Sequence, residues 1–226
     1  MKKKFVITID GPAGAGKSTI SKILASKLDY IYLDTGALYR GMAYKAVKFK
    51  ISLNDVSALS DLCSNTNVSL KSLGNRMKVF VDNEDVGEKI RTEEIGMAAS
   101  KISTYSIVRE KLLDLQRKAG DEGGIVAEGR DMGSVVFPDA DFKFYLDANL
   151  EERIKRRYEE LLSNGVNVDY EVIQKDMSLR DAQDKGREIA PLRIPKGAII
   201  IDSNNLSIGE VVKKMMANIQ VKIDFK

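Results

Sequence analysis

The residues best suited to chemistry come early. Gly11 to Ser18 read GPAGAGKS, a G-x-x-x-x-G-K-[ST] pattern lying between the apolar run FVITI and a helical pattern. Glycines at 11, 14 and 16 let the backbone curl until its N–H groups converge at the positive end of the following helix, an arrangement that receives phosphates. Pro12, Ala13 and Ala15 complete the loop. Lys17 would neutralise β and γ phosphates, Ser18 would ligate Mg²⁺ through its hydroxyl, and Thr19 would contact the α phosphate. A turn that merely joins strand to helix does not account for Lys17 and Ser18 at the required offset, so the loop implies nucleoside triphosphate binding.

A second set of residues is cationic. Arg40 lies in LDTGALYR beyond the second expected strand, on a helix that Thr35 is expected to cap. Glu128, Gly129, Arg130 and Asp131 end another strand in AEGRDMG, at the carboxyl edge where open α/β sheets bind ligands. Arg180, Asp184 and Arg187 have i, i+4, i+7 spacing, and Arg153, Arg156 and Arg157 cluster in EERIKRRYEE. Taken singly, these groups read equally well as charged turns or solvated ion-pair stripes. Together they suit phosphoryl transfer, whose barrier falls through alignment and through cations around the moving group. The chain has 0 histidines, which removes the commonest general base.

The elements that must position these residues follow from periodicity. Short apolar runs, FVITI, YIYL, GIVAE, FKFYL and AIII, alternate with helical patterns, the habit of a parallel sheet covered on both faces; the fold class is α/β. Ile20, Ile23, Leu24 and Leu28 form one helical face. Ser207 and Glu210 have capping-box spacing, with Leu206 and Val211 placed as a hydrophobic staple. VSLKSLGNRMKVFVDNEDV breaks the rhythm: it alternates at Met77, Val79 and Val81 and has turn signals at Gly74-Asn75 and Asp82-Asn83, which predicts a small antiparallel meander. Helices are expected over roughly 92–103 and 106–119, before Gly120 and DEGG return the chain to the sheet.

Composition narrows the class further. A chain of 226 residues with 43% hydrophobic content suits one large domain carrying an insertion. A net charge of +3 does not call for nucleic acid as a partner. Cys63 is the single cysteine, so neither an internal disulfide nor a Cys/His zinc site can form, and a reducing cytoplasm fits best. MKKKFVITID imitates the start of a secretory signal, but its apolar run stops at Asp10, and an exposed lead into a strand is expected. No apolar stretch approaches the roughly 20 residues that span a membrane.

With the P-loop, LDTGALYR, IRTEEIGMAAS, VREKLL, EGRDMGSVVFPDA, EERIKRR and RDAQDKGREIAPL in this order, the chain resembles the bacterial cytidylate kinases over nearly all its length. The resemblance implies the P-loop nucleoside monophosphate kinase fold over 1–226, a five-stranded parallel sheet in order 2-3-1-4-5 flanked by helices. It also implies a CMP-binding insertion near 65–104 and a helical lid near 152–188. By the same resemblance Ser100, Arg109 and Asp131 read the cytosine edge, to which a carboxylate and a guanidinium are complementary. Arg40, Arg130 and Arg187 then hold the acceptor monophosphate, Asp184 contacts the sugar hydroxyls, and Thr35 and Tyr39 line the pocket. Arg91 is a further candidate or a brace for the insertion. Arg153 and Arg157 become lid residues that swing over the phosphates, with Arg180 close to the transferred group; the catalytic set is Lys17, Arg130, Arg157 and Arg180.

Two positions depart from the common pattern: Glu128 stands where many members have Asp, and Thr35 where some have Ser. Glu128 is a candidate for a magnesium-bound water. The implied reaction transfers the γ-phosphoryl group of Mg²⁺-ATP to CMP and dCMP, in a cytoplasmic monomer with no nucleic-acid or membrane partner. A kinase of UMP, AMP or shikimate would use the same P-loop, as would a nucleotide-dependent switch GTPase, although no guanine-reading N-K-x-D occurs.

Overall fold

The computed structural model describes residues 4–224, and the basic lead expected at residues 1–3 lies outside them. In chain order the strands are β1 Val6–Asp10, β2 Ile31–Asp34, β3 Val68–Leu73, β4 Arg76–Val81, β5 Glu84–Asp85, β6 Ile125–Gly129, β7 Phe142–Asp147 and β8 Ile199–Asp202. The helices are α1 Lys17–Leu28, α2 Thr35–Lys48, α3 Val56–Ser64, α4 Glu93–Ile102, α5 Ser106–Lys118, α6 Leu150–Ser163, α7 Tyr170–Gly186 and α8 Ile208–Asp224, with a π-helical turn at Met132–Val136.

The sheet runs β3-β4-β2-β6-β1-β7-β8, with β5 paired to β4. Its parallel strands, β2-β6-β1-β7-β8, have the expected order 2-3-1-4-5 when numbered among themselves. β1 is central because Ile7, Ile9 and Thr8 can all be buried, with helices on both faces. The meander is present and forms an extension of this sheet: β4 joins β2 in parallel at Arg76 and Tyr32. Its two turns fall at the expected dipeptides, and Asp82 and Asn83 both take positive φ, as a two-residue type I′ hairpin requires.

Helix ends follow local chemistry, with one correction. Thr35 does not cap α2; the preceding Asp34 does, its Oδ1 accepting from Ala37 N at 3.0 Å, while Thr35 is the helix's first residue. At α8 the capping box is reciprocal: Ser207 N donates to Glu210 Oε2 at 2.8 Å and Glu210 N donates to Ser207 Oγ at 3.3 Å. α4 and α5 lie within a residue of the expected spans, whereas α3, capped by Asp55, was not anticipated.

Apolar packing divides the molecule into bodies of unequal size. Ile7, Ile9, Leu24, Phe144 and Met215 belong to a cluster between the sheet, α1 and α8. Leu38, Met42, Leu59, Ile102 and Leu112 belong to another that ties α2 and α3 to α4 and α5. α6 and α7 share only a small cluster, Ile154, Leu161, Ile173 and Met177, supplemented by an edge-to-face contact of Tyr158 with Tyr170 at 5.6 Å. At about 1.5–3 kcal/mol per buried aliphatic side chain, this hairpin holds itself together by little and is the part most free to move.

Candidate active site

The P-loop starts where β1 ends and α1 has not yet begun. At Gly11, with φ +152, a Cβ would stand 2.1 Å from the Leu146 carbonyl oxygen, so only glycine fits. Gly16 has open space around it but takes φ +90 as the α1 N-cap, with no side chain capping the helix. The first N–H groups of α1 therefore remain available to an anion. Ala13 to Thr19 line the cleft, while Gly11 and Pro12 lie behind it. Lys17 is anchored from behind, its Nζ donating to the Pro12 carbonyl at 2.7 Å. Burial, and next to it Arg130, push the Lys17 amine down to about 7 against the opposing pull of Glu128 and Asp184.

Glu128 ends β6 beside this loop and is buried. Its Oε1 accepts a hydrogen bond from the Tyr32 hydroxyl. Burial, then Asp34, raise the Glu128 carboxyl, while Lys17 and the Ser18 hydroxyl act to lower it. Thr35 Oγ1 donates to the Glu128 carbonyl at 2.6 Å, which ties the start of α2 to the same strand end.

Arg130 and Asp131 project from the turn after β6. That turn is held by Asp10, whose two carboxylate oxygens accept from Met132 N at 2.7 Å and Gly133 N at 2.8 Å. Burial pushes the Asp10 carboxyl up to about 6 in spite of these N–H donors. Arg130 Nε meets Asp184 Oδ2 at 2.6 Å, and Arg187 lies 4.0 Å from Asp184 and 3.3 Å from Asp131. Arg109 pairs with the other Asp131 oxygen and sits 5.6 Å from the centroid of the Tyr39 ring. Burial works against the Asp184 charge, but Arg130 and Arg187 hold its carboxyl below the usual range. Ser100 Oγ is buried without a partner, while the Ser100 carbonyl accepts from Gln183 Nε2 at 2.7 Å. Arg40 reaches Asp34 at 2.6 Å.

Thr35, Tyr39, Arg40, Ser100, Arg109, Arg130, Asp131, Asp184 and Arg187 thus line one cleft with the P-loop, Glu128, Arg157 and Arg180. The cleft encloses about 1880 Å³, more than one small-molecule site of roughly 300–1,000 Å³ needs, and has room for two ligands. Arg153 departs from expectation. It is buried, donates to the carbonyls of Ala13 and Ala148, and pairs with Asp181 at 2.6 Å, so it fastens α6 and α7 to the P-loop and has no free arm. Arg91 pairs weakly with Glu88 at 3.9 Å and does not brace the insertion.

Four residues escaped sequence reasoning: Asp10, Tyr32, Asp34 and Glu93. Asp34 carried a usable signal, an Asp before the start of a helix, and so did Asp10 in its place before the glycine loop. Tyr32 and Glu93 carried none. Glu93 opens α4 and reaches across to pair with Arg157, with Arg180 at 3.9 Å.

Comparison with known proteins shows which family the chain belongs to. The family model described as cytidylate kinase matches residues 7–221. The chain belongs to the cytidylate kinase family. The cytidylate kinase of Caldicellulosiruptor saccharolyticus is 46% identical over 214 residues, covering 95% of each chain. That of Bacillus subtilis is 44% identical over 222 residues, 98% of this chain and 99% of the relative. Among solved structures, a gluconokinase from Sinorhizobium meliloti has a TM-score of 0.51 at 12% identity, over 100% of this chain and 98% of that one, and speaks for the fold alone.

Proposed function

We propose that the chain transfers the γ-phosphoryl group of ATP to CMP and dCMP, producing ADP and the nucleoside diphosphate. The observation that carries this reading is the convergence of Arg109, Arg130 and Arg187 with Asp131 and Asp184 in the cleft that holds the P-loop. Ser100, Arg109 and Asp131 suit the cytosine edge, which offers an amino donor beside ring acceptors. Arg40, Arg130 and Arg187 supply charge for the monophosphate, and Asp184 reaches the sugar. Asn204, Asn205 and Ile208 line the cleft on the P-loop side and suit the donor base.

The reaction needs no covalent intermediate. The acceptor phosphate attacks in line, Lys17 and Arg130 stabilise the charge on the moving group, and Arg157 and Arg180 close over it. Two protein oxygens, the Ser18 hydroxyl and the Glu128 carboxylate, meet on the cleft wall, enough for Mg²⁺, which keeps most of its waters and binds largely through substrate phosphates. When bound, that ion neutralises phosphate charge. The insertion near 65–104 and the lid near 152–188 would bring acceptor and water exclusion respectively, within a single domain.

Among the described residues no helix is long and apolar enough to cross a membrane. We place the protein in the cytoplasm as a monomer acting on free nucleotides, in keeping with its buried lone Cys63. The test is ADP release with CMP, dCMP, UMP, AMP and shikimate as acceptors. CMP and dCMP are expected to give the highest kcat/KM; faster turnover of AMP or shikimate would reassign the acceptor.

A further inference from the structure

We infer that Tyr32 is a positioning residue for Glu128, its phenol holding the longer carboxylate against the P-loop where the magnesium of bound nucleotide is served. The inference rests on the proposed magnesium role of Glu128 and deepens it.

The sheet register makes the contact possible. On β2 and β6, Tyr32 lies opposite Val126 and Asp34 lies opposite Glu128. Tyr32 and Glu128 are therefore diagonal neighbours on one face, a separation that an aromatic side chain spans and a short one does not. The Tyr32 hydroxyl donates to Glu128 Oε1, and both side chains are buried, at 6% and 4% exposure.

Glutamate needs this support where aspartate would not. Its extra methylene adds a rotatable bond, and the Asp34 charge disfavours its ionised form. A fixed donor on Oε1 removes that freedom and holds the carboxylate on the cleft wall that Lys17 and Ser18 also line. The Tyr32 ring also belongs to the apolar cluster around Ile7, Ile9 and Val126, so the hydroxyl must be removed without the ring.

The experiment measures ATP affinity by calorimetry, with Mg²⁺ and with EDTA, in wild type, Tyr32→Phe, Glu128→Gln, Glu128→Asp and the Tyr32→Phe/Glu128→Asp double variant. In wild type Mg²⁺ tightens ATP binding. Glu128→Gln should lose most of that gain, and Tyr32→Phe should lose about tenfold or more of it, as expected for one hydrogen bond to a charged group. CMP affinity should be unchanged in Tyr32→Phe while kcat falls. Glu128→Asp withdraws the carboxylate from the phenol, so the double variant should be no worse than Glu128→Asp alone. Loss of the Mg²⁺ gain in Glu128→Gln but not in Tyr32→Phe overturns the positioning role alone, as does strict additivity in the double variant. An unchanged gain in Glu128→Gln overturns the magnesium role of Glu128 and the inference with it.

Discussion

Asp184 sits between two guanidiniums, Arg130 at 2.6 Å and Arg187 at 4.0 Å. Asp184→Asn keeps the shape and removes the charge, so Arg130 loses its carboxylate partner while Arg187 keeps Asp131, and the proposed sugar contact falls from a carboxylate to a neutral amide oxygen. The KM for CMP should rise about tenfold or more, near 1.4 kcal/mol, with the KM for ATP within about twofold. An unaltered KM for CMP in folded protein would remove Asp184 from the acceptor site. Asp10 gives a pH prediction. Its folded pKa, about 6, exceeds the reference 3.8, so the folded state holds the proton more tightly. The resulting stabilisation is complete below 3.8 and is lost as pH rises through 6. Comparing wild type with Asp10→Asn by chemical denaturation, the stability difference should move in favour of wild type by on the order of 3 kcal/mol between neutral pH and pH 4. A difference that does not vary with pH would mean that Asp10 is ionised in the fold as easily as in water.

At the scale of elements, Glu93 joins the acceptor-side insertion to the lid hairpin through Arg157 and Arg180. On the proposed reading both arginines serve the transferred phosphoryl group, so the carboxylate would compete with substrate for them. Glu93→Gln should lower the KM for ATP by about twofold to fivefold, the scale of a half-exposed ion pair, and raise ATP hydrolysis without acceptor. A higher KM would show that Glu93 supports the arginines and does not compete for them. Elements like these were unequally legible in the sequence. The P-loop, the meander and α4 were readable because their information is local: glycine spacing, GN and DN turn dipeptides, and helical period. Which residue caps α2 was not, because Asp34 and Thr35 are both capping types and only the backbone decides between them. Tyr32 and Glu93 were opaque for another reason. Their partners lie 96 and 64 residues away, and no local pattern records a diagonal across strands or a reach between helices. Arg153 misled because burial, and not sequence, separates an anchoring arginine from a mobile one.

For the molecule as a whole, ligands should act on its unequal bodies differently. The lid hairpin has four buried apolar residues of its own, far fewer than the clusters on the sheet. Amide exchange in α6 and α7 should be fast in free protein and slow sharply when CMP and a non-hydrolysable ATP analogue are both present, while β1 and β6 stay protected throughout. Each ligand at about 100 times its Kd should add about 2.7 kcal/mol to stability. Uniform protection across lid and sheet before ligand is added would mean that the hairpin is already fixed. The grip of Asp10 on Met132 and Gly133 bears on what such closure accomplishes. Asp10 immediately precedes the donor loop, and the N–H groups it holds immediately follow Arg130 and Asp131 of the acceptor side. One buried carboxylate therefore sets the gap between the P-loop and the turn that carries Arg130 and Asp131, as a fixed-jaw gauge does. On the proposed reading, a hairpin that swings over the cleft would move Arg157, Arg180 and Asp184 against this fixed gauge, and not the P-loop against Arg130 and Asp131.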